Sequence, residues 1–552
     1  MIADIHITEK SFGDKTLMKD VKFSVDDGEK VGVVGRNGVG KSTLFGILSG
    51  KDTDYTGEVI FRRGITIATT AQEHHGLGEQ TVMTYILGGL PEYPELKKII
   101  DEYPLTMGDN MRKIEEYTQA LERFDQKGFY QIEEKIEREL SNFQLDGYGN
   151  RRISSLSGGQ KRLVEIVKIM RSEAHLALID EPTNHMDYVA KQQFIDWMNS
   201  QPHQAMLIIT HDRDVLGQVD RIVEIKDGQA VSYRGNYDAY LKQNAQATTA
   251  GMNNFEQIEK RIVNLKQKVL DYQRLKEKSR NPGTIQKFKR LENEARSELA
   301  ELSEMEKPTF WIDKESVGQL DYKSAERYGK FKSRNIRLSM KDASSRSQHV
   351  LVRAENVAVG IGERILFEDV NIDLREGEAI EIRGRNGAGK TTLIRMILPS
   401  VKSFDGGPIL YSGDIFLDPQ VRIGVYEQEI DERYLSDPLE KAIEKLYMSR
   451  DLSISDTKIR QLLADYLFTD ADRMTPLARL SGGQKARFQI IVMLANDPQL
   501  LILDEPTNHL DLPSIEELET ALAKYSGAIL YVSHDNYFRE KLGGKVVQIG
   551  AE

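Results

Sequence analysis

The chain of 552 residues contains one series of motifs twice, in the same order. A glycine-rich segment at 35–43 recurs at 384–392, which is 349 positions later. A Leu-Ser-Gly-Gly-Gln-Lys segment at 156–161 recurs at 480–485, and the Asp-Glu-Pro-Thr-Asn-His segment that starts at Asp180 recurs at the same spacing of 324. Such self-similarity predicts two copies of one domain rather than the three or four unrelated domains that the length alone favours.

The spacing of the motifs also predicts where the domains begin and end. The first copy carries 25 additional residues between its first two motifs, because the offset falls from 349 to 324. We expect this insertion at about 88–125. The predicted organisation is a first domain at 1–244, a connecting segment at 245–345 and a second domain at 346–552.

The connecting segment has the pattern of two amphipathic helices. Apolar residues recur every three or four positions from Asn253 to Lys278 and again from Thr284 to Glu306. An Asn-Pro-Gly turn signal at 281–283 separates the two runs. The pattern predicts an antiparallel helical hairpin whose first helix is about 39 Å long.

Charge is distributed unevenly along the chain. The net charge of −11 argues against binding of nucleic acid by the molecule as a whole. Between Lys266 and Arg290, however, nine basic residues face two acidic ones. This basic tip of the hairpin is either a solvated helix end or a contact for phosphate groups. The residues that we expect to make such a phosphate contact are Lys276, Lys278, Arg280, Lys287, Lys289 and Arg290.

The chain contains no cysteine, which excludes a disulfide framework, Cys-ligated zinc or iron–sulfur centres and a thiol nucleophile. The sequence from Met1 does not resemble a signal peptide, and no apolar run approaches the ~20 residues that cross a bilayer. We therefore expect a cytoplasmic protein without membrane contact.

Each glycine-rich segment follows a short apolar run and precedes a helical pattern, as a phosphate-binding loop does. Glycines let successive backbone N–H groups face the phosphates, and the next helix adds its positive dipole end. We expect Lys41 and Lys390 to reach the β- and γ-phosphates. Ser42 and Thr391 are the expected ligands of Mg²⁺.

Two apolar runs end in paired acids, Asp180-Glu181 and Asp504-Glu505. An apolar run of this kind predicts a buried parallel strand, and its carboxyl end is where α/β sheets bind ligands. We expect the aspartate to hold Mg²⁺ or its water. The glutamate is expected to orient and polarise the attacking water.

A Leu-Ser-Gly-Gly-Gln segment between the phosphate loop and the Asp-Glu strand resembles the signature of the ATP-binding cassette ATPases. The resemblance implies an α/β fold of two tandem P-loop nucleotide-binding domains, joined here by the α-helical hairpin. It implies ATP and Mg²⁺ as ligands, with hydrolysis to ADP and phosphate at both sites. In that family two cassettes enclose two ATP molecules, each between one phosphate loop and the opposite signature.

The family's functional residues can be assigned to matching positions. The implied nucleotide contacts are Phe12, Gly35, Asn37, Gly38, Gly40, Lys41, Ser42, Thr43, Gln72, Ser157, Gly158, Gly159, Gln160, Asp180, Gly384, Asn386, Gly387, Gly389, Lys390, Thr391, Thr392, Gln428, Ser481, Gly482, Gly483, Gln484 and Asp504. The implied Mg²⁺ ligands, direct or through water, are Ser42, Gln72, Asp180, Thr391, Gln428 and Asp504. The implied catalytic residues are Glu181, Glu505, His211 and His534.

One position departs from the family pattern. Phe12 matches the aromatic residue on which adenine stacks, but the corresponding residue of the second copy is Ile361. The second site is therefore expected to hold adenine less firmly.

Among cassette proteins the layout resembles the F subfamily. Two cassettes share one chain, a charged helical linker joins them, and Asp-Glu-Pro-Thr-Asn-His occurs in both. A Tyr-Arg-Gly-Asn-Tyr segment at 233–237 precedes the linker. The resemblance implies a monomer with intramolecular cassette pairing that binds the 70S ribosome at its exit-tRNA site. The linker, the subfamily's tRNA-interaction motif, would point at the peptidyl-tRNA and the peptidyl transferase centre.

Three alternatives stay open at this point. The first is a factor of the same subfamily that protects ribosomes from antibiotics, although the short turn at Ser279–Thr284 favours a factor that regulates or rescues translation. The second is the ATPase subunit of a transporter with separate membrane subunits. The third is a DNA-associated ATPase, although we expect no DNA partner.

Overall fold

The computed structural model divides the chain into a unit formed by Met1–Tyr237 with Ile336–Glu552, and a helical unit formed by Asp238–Asn335. The described residues are 1–13, 15–70, 79–106, 108, 110–184, 186–303, 310–311, 313, 316–317, 322–333, 335–338, 349–362, 364–398, 408–427 and 430–550. The larger unit contains both sequence copies, which we call the first and second cassettes.

The first cassette alternates strands and helices. Its elements are β1 (Ala3–Phe12), β2 (Lys15–Val25), β3 (Lys30–Gly35), α1 (Lys41–Leu48), β4 (Thr56–Phe61), β5 (Ile67–Thr69), α2 (Val82–Gly88), α3 (Tyr93–Thr106), α4 (Met111–Gln126), α5 (Ile132–Asn142), α6 (Gly158–Ser172), β6 (Leu176–Asp180), α7 (Tyr188–Asn199), β7 (Ala205–Ile209), α8 (Arg213–Leu216), β8 (Arg221–Lys226) and β9 (Gln229–Arg234). The helical unit contains α9 (Tyr237–Lys278), α10 (Pro282–Ser303) and α11 (Tyr322–Phe331).

The second cassette repeats this course without the long insertion. Its elements are β10 (Val350–Ile361), β11 (Arg364–Arg375), β12 (Ala379–Arg383), α12 (Lys390–Ile397), β13 (Pro408–Leu417), β14 (Ile423–Tyr426), α13 (Glu432–Leu435), α14 (Leu439–Met448), α15 (Asp456–Asp465), α16 (Asp470–Arg473), α17 (Gly482–Leu494), β15 (Leu500–Asp504), α18 (Leu512–Ala523), β16 (Ala528–Val532), α19 (Asn536–Leu542) and β17 (Lys545–Gln548). Single 3₁₀ turns lie at Phe129–Gln131, Ile153–Ser155 and Leu477–Arg479.

Each cassette is built on a central sheet in which the strand before the phosphate loop is an inner strand. The order is β5-β6-β7-β3-β8-β9 in the first cassette and β14-β15-β16-β12-β17 in the second. All neighbours are parallel except β8 and β9, which are antiparallel. The inner strands are buried on both faces, which explains their continuous apolar sequences. Their carboxyl ends meet at one edge, where the functional motifs follow.

A smaller antiparallel sheet completes each cassette, in the order β2-β1-β4 and β11-β10-β13. It packs with α1 or α12 against one face of the central sheet, so that one apolar cluster extends through both sheets. The insertion of the first cassette forms α3 and α4, which contact each other along their length. Tyr93, Phe124 and Phe129 pack together at its base, with ring centroids 5.2 to 5.7 Å apart.

The hairpin of the helical unit is longer than its periodicity predicts. Helix α9 begins at Tyr237 rather than near Asn253 and has 42 residues, about 63 Å of helix. The early part lacks a clean amphipathic pattern because it packs against other segments of its own unit. Gly251 lies against the ring of Phe310, and Met252 packs with α11. Tertiary contact, which a periodicity argument does not contain, extends the helix.

The two long helices are joined by apolar and polar contacts. Leu265, Val269 and Ala295 are buried between them. Towards the tip, Tyr272 stacks on Phe288 with ring centroids 6.3 Å apart. These contacts pack the two helices into one hairpin rather than leaving them independent.

The hairpin core can be tested by a matched pair of truncations on α9. Leu265 is 2% exposed, whereas Val263 on the same helix is 65% exposed. Leu265→Ala should lower the hydrogen-exchange protection of α9 and α10 by about 2–4 kcal/mol, since it leaves a cavity in the core. Val263→Ala should leave that protection unchanged, and equal effects of the two variants would contradict the packing described.

Candidate nucleotide-binding site

The phosphate loops have the backbone that their glycines permit. Gly40 and Gly389 have φ values of 101° and 99°, in the left-handed region that favours glycine, and each immediately precedes a helix. Lys41 Nζ donates to the carbonyl oxygens of Gly35 and Arg36 at 2.7 and 3.2 Å. Lys390 makes the equivalent pair of bonds at 2.9 and 3.0 Å. Both ammonium groups therefore lie inside their loops.

Burial lowers the pKa of Lys41 and of Lys390, although neighbouring carboxylates oppose the shift. A phosphate anion bound in the loop would replace the water that these ammonium groups have lost. The loops are thus suited to a ligand with high negative charge.

A hydroxyl and a carboxylate meet at the start of each loop helix. Ser42 Oγ donates to Asp180 Oδ2 at 3.1 Å, and Thr391 Oγ1 donates to Asp504 Oδ2 at 2.8 Å. Parallel pairing of β6 with β7, and of β7 with β3, sets these residues side by side. Oxygen ligands of this kind are the ones that Mg²⁺ prefers.

The glutamates and histidines also meet at this edge. The backbone N–H of Glu181 donates to Ile209 O at 2.7 Å, which holds the end of β6 beside the end of β7. Glu181 Oε1 lies 3.6 Å from His211 Nε2, and Glu505 Oε1 lies 3.2 Å from His534 Nε2. The chain turns sharply here, since both glutamates have positive φ values, 46° and 50°.

Burial sets the protonation of these groups. Burial, and then the neighbouring aspartate, raises the pKa of Glu181 to about 8 and that of Glu505 to about 7. Burial, and then Lys41, lowers the pKa of His211 to about 3, and the pKa of His534 is also lowered well below its usual value. Both imidazoles are therefore neutral at pH 7. The glutamates are stronger bases than exposed carboxylates.

His211 gives an independent sign of a ligand. Both of its ring nitrogens are buried, and neither makes a hydrogen bond to the residues that the structure describes. A buried neutral imidazole usually has a partner. A phosphate oxygen would provide one, so the residues present fit a nucleotide.

Two aspartates that the sequence analysis missed join the cassettes to each other. Asp511 caps α18 by accepting from Ser514 N at 3.1 Å, while its other oxygen accepts from the backbone N–H of Asn37 at 3.1 Å. Asp187 caps α7 through Ala190 N, and its second oxygen accepts from Asn386 N at 2.9 Å. Each aspartate thus fixes its own helix and the opposite phosphate loop together.

A signal for these aspartates existed in the sequence. Each follows an Asp-Glu-Pro-Thr-Asn-His segment by two positions and precedes a helix, where aspartate is a preferred N-cap. The pattern indicated the cap but not the partner, because the second acceptor oxygen contacts the other half of the chain.

The signature segments lie at helix starts, as expected. Ser157 and Ser481 each cap their helix by accepting from the backbone N–H of Gln160 and Gln484, whose side chains accept in return from the capping serine N–H. The second signature contacts the first phosphate loop, since a Cβ on Gly483 would collide with the Asn37 side chain.

A central cavity of about 50 Å³ lies between the two cassettes. Its walls include the glutamates and histidines of both sites, Glu181, His211, Glu505 and His534. The sequence analysis treated the two sites as separate. The structure brings their reactive groups to one shared space.

The two residues at the predicted adenine position lie at equivalent places in the cassettes. Phe12 ends β1 and is 56% exposed, and Ile361 ends β10 and is 47% exposed. The ammonium of Lys10 lies 4.7 Å from the centroid of the Phe12 ring. The predicted Mg²⁺ ligands Gln72 and Gln428 lie outside the described residues.

The basic tip of the hairpin consists mostly of exposed side chains. Those exposed are Lys278, Arg280, Lys287, Lys289 and Arg290. Lys276 differs, because its ammonium donates to Glu292 Oε2 at 2.5 Å and is only 32% exposed. Lys276 therefore joins α9 to α10 in addition to any contact with a partner.

The fold and these paired motifs define a tandem nucleotide-binding ATPase. The family model described as "ABC transporter" matches residues 18–184 and 367–508. The chain belongs to this ATP-binding cassette family, and it binds and hydrolyses ATP. Among the described residues, no helix has the length and hydropathy to cross a membrane.

Comparison with similar proteins places the chain more narrowly within the ATP-binding cassette family. The chain is 30% identical over its full length to the putative ATP-binding protein YdiF of Bacillus subtilis, of which it covers 80%. It is 29% identical to the ABC transporter F family member 2 of Arabidopsis thaliana, over 98% of this chain and 75% of that protein. It is 28% identical to the ribosome protection protein VmlR of Bacillus subtilis, over 96% of this chain and 83% of that protein. Within the cassette family, the chain is a member of the F subfamily.

A solved structure supports the fold assignment alone. The archaeal ribosome recycling factor aABCE1, solved in complex with the ribosomal stalk protein aP1, superposes with a TM-score of 0.58 at 17% sequence identity. The superposition covers 99% of this chain and 87% of that chain.

The cross-cassette aspartates can be separated from ordinary helix caps. Asp511→Ala should remove both the cap of α18 and the acceptor for Asn37, so ATP hydrolysis should fall at least tenfold. Ser455→Ala removes a cap of α15 in the second cassette and is the matched control. It should cost about 0.5–2 kcal/mol of stability without this loss in activity, measured by phosphate release and by chemical denaturation. Equal activity losses would contradict the bridging role.

Proposed function

We propose that this chain is a translation factor that binds the ribosome while ATP holds its cassettes together, and that hydrolysis releases it. The observation that carries the proposal is the exposed basic tip on a helical hairpin in a chain whose net charge is −11. Lys and Arg groups in such a place gain affinity by neutralising phosphates, which suits ribosomal RNA and tRNA. We place the factor in the cytoplasm, with the exit-tRNA site as its binding position and the peptidyl-tRNA beyond the hairpin tip.

The proposed chemistry uses each residue pair in one role. Lys41 and Lys390 bind the β- and γ-phosphates, and the signature serines and glycines of the opposite cassette close on the γ-phosphate. Ser42, Asp180, Thr391 and Asp504 hold Mg²⁺, which would neutralise charge on the phosphates. The ligand oxygens come from the pairs already in contact at 3.1 and 2.8 Å.

Glu181 and Glu505 would accept a proton from the attacking water in their ionised forms. Their raised pKa values, about 8 and about 7, make the carboxylates stronger bases but leave part of each population protonated at pH 7. The neutral imidazoles of His211 and His534 would each donate a hydrogen bond to the γ-phosphate. Because ATP contacts both cassettes only when they face each other, its binding favours the closed arrangement, and loss of the γ-phosphate removes that preference.

The relative named as a ribosome protection protein supports a ribosomal target and also a second candidate role, protection from antibiotics. The turn between α9 and α10 comprises only Ser279–Arg280–Asn281. A tip this short offers little surface beyond the two helix ends, which favours a general translation factor. Resistance conferred on a sensitive host by expression of the chain would favour the protection role.

Replacing both glutamates tests the link between hydrolysis and release. Glu181→Gln with Glu505→Gln removes the bases but keeps the shape of the site, so hydrolysis should fall by about 10²–10⁴-fold. With ATP, this variant should co-sediment with ribosomes and stop translation in an extract.

Glu58→Gln with Glu432→Gln, one exposed residue in each cassette, is the matched control and should behave as the parent chain. A double glutamine variant that co-sediments with membrane proteins rather than with ribosomes would favour the transporter alternative. Stimulation of ATPase activity by DNA rather than by ribosomes would favour the DNA-associated alternative.

Charge reversal tests the tip. Lys278, Arg280, Lys287 and Lys289 changed together to Glu should abolish stimulation of ATPase activity by ribosomes and reduce the salt dependence of ribosome binding. Lys276 is kept because it bonds to Glu292. Lys22, Lys51, Arg63 and Lys524 are exposed in the cassettes, and their change to Glu is the control with equal charge. Surviving stimulation in the tip variant would make the tip a solvated helix end.

A further inference from the structure

The contact between the cassettes contains a polar cluster that breaks the internal repeat. Lys191 on α7 of the first cassette has Ile515 as its counterpart on α18, and Asp214 has Tyr537. The cluster is therefore built once, although the motifs around it are built twice.

Lys191 is the centre of this cluster. Its ammonium donates to the main-chain oxygen of His534 in the other cassette at 2.7 Å. The same group donates to Asp214 Oδ2 at 2.7 Å and lies 3.2 Å from Asp212 Oδ2. Lys191 is only 4% exposed, so these contacts replace its water.

Further bonds hold the cluster across the cassette boundary. Asn536, two residues after His534, donates through Nδ2 to Asp214 at 2.8 Å. Arg213 lies 3.0 Å from Glu519 Oε1 and 5.2 Å from the centroid of the Tyr537 ring, both on the second cassette. The loop that carries His534 is thus bonded to the first cassette at the histidine itself and two residues after it.

The reciprocal bond, from α18 of the second cassette to the main chain of His211, cannot form. Ile515 occupies the position from which a lysine would reach the main chain of His211, and its side chain has no donor. Burial would lower the pKa of Lys191, but Asp212 and Asp214 outweigh it, and the pKa is raised. The ammonium therefore stays charged and keeps its donors.

We infer that Lys191 is a positioning residue for the second ATP site. It holds His534 in place from the opposite cassette and so makes the two ATP sites unequal. The inference rests on the proposed roles of Glu505 and His534. Turnover at the second site then depends on cassette contact through this lysine. Turnover at the first site does not.

A contact that positions His534 can be detected without hydrolysis. Lys191→Met keeps the apolar stem and removes the donors. Hydrogen exchange should become faster in peptides that contain His534, whereas peptides of the hairpin helices α9 and α10 should exchange as in the parent chain. Lys191→Arg restores a donor and should recover most of the protection. Unchanged exchange at His534 in the Met variant would overturn the inference.

Kinetics in single-site backgrounds test the consequence. With Glu181→Gln only the second site turns over, and with Glu505→Gln only the first. In the Glu181→Gln chain, where only the second site turns over, adding Lys191→Met should lower kcat roughly tenfold or more, with less than a twofold change in KM. In the Glu505→Gln chain, where only the first site turns over, the same substitution should change kcat less than twofold. Ile515→Met, at the equivalent position, should have no effect in either background.

Two kinetic outcomes would contradict the inference. An equal loss in both backgrounds would indicate that Lys191 only stabilises cassette contact. Faster exchange at His534 with intact second-site turnover would leave a structural bond without a positioning role. Failure of the proposed function is distinguishable, because a chain with both Glu181→Gln and Glu505→Gln that hydrolyses ATP at the parental rate would refute the roles of the glutamates whatever the exchange experiment shows.

Discussion

The closed arrangement depends on two aspartates that each make two bonds. Asp187 and Asp511 cap helices of their own cassettes with one oxygen and accept from the opposite phosphate loop with the other. A helix cap is a local interaction, but here the same side chain also holds helix α7 or α18 against the phosphate loop of the opposite cassette. Because the bond is to a backbone N–H, it depends on the conformation of the loop as well as on contact between the cassettes. Contact between the cassettes and the geometry of the phosphate loops are therefore coupled.

The positions and the protonation of the glutamates and histidines depend on this contact between the cassettes. Parallel strands bring Asp180, Glu181 and His211 to one edge, and Glu181 and His211 line a cavity of about 50 Å³ together with Glu505 and His534 of the other cassette. Burial produces both useful shifts, since it makes the glutamates more basic and keeps the imidazoles neutral. Opening the cassettes would return water to these groups and remove both shifts. The same motion that would release a partner would thus also switch off the chemistry.

Local sequence predicts the motifs of each nucleotide site, but it does not predict the start of α9 or the contacts between the cassettes. The strand, glycine loop and helix around Lys41 are set by neighbouring residues, so the phosphate loops and the Asp-Glu pairs could be predicted. The start of α9 could not, because packing against α11 rather than periodicity extends it. The second bond of Asp511 and the bond of Lys191 to His534 are long-range contacts between the two halves, and no spacing within one half encodes them.

We expect ATP to close one cassette on the other within a single chain, and the distance between two labels measures that closure. The chain has no cysteine, so Lys51→Cys and Arg479→Cys place two labels alone, one after the first loop helix and one before the second signature. In the double glutamine variant, ATP should shift the label distances to one short, narrow population, and removal of ATP should restore a longer, broader one. The same distance distribution with and without ATP would contradict the account.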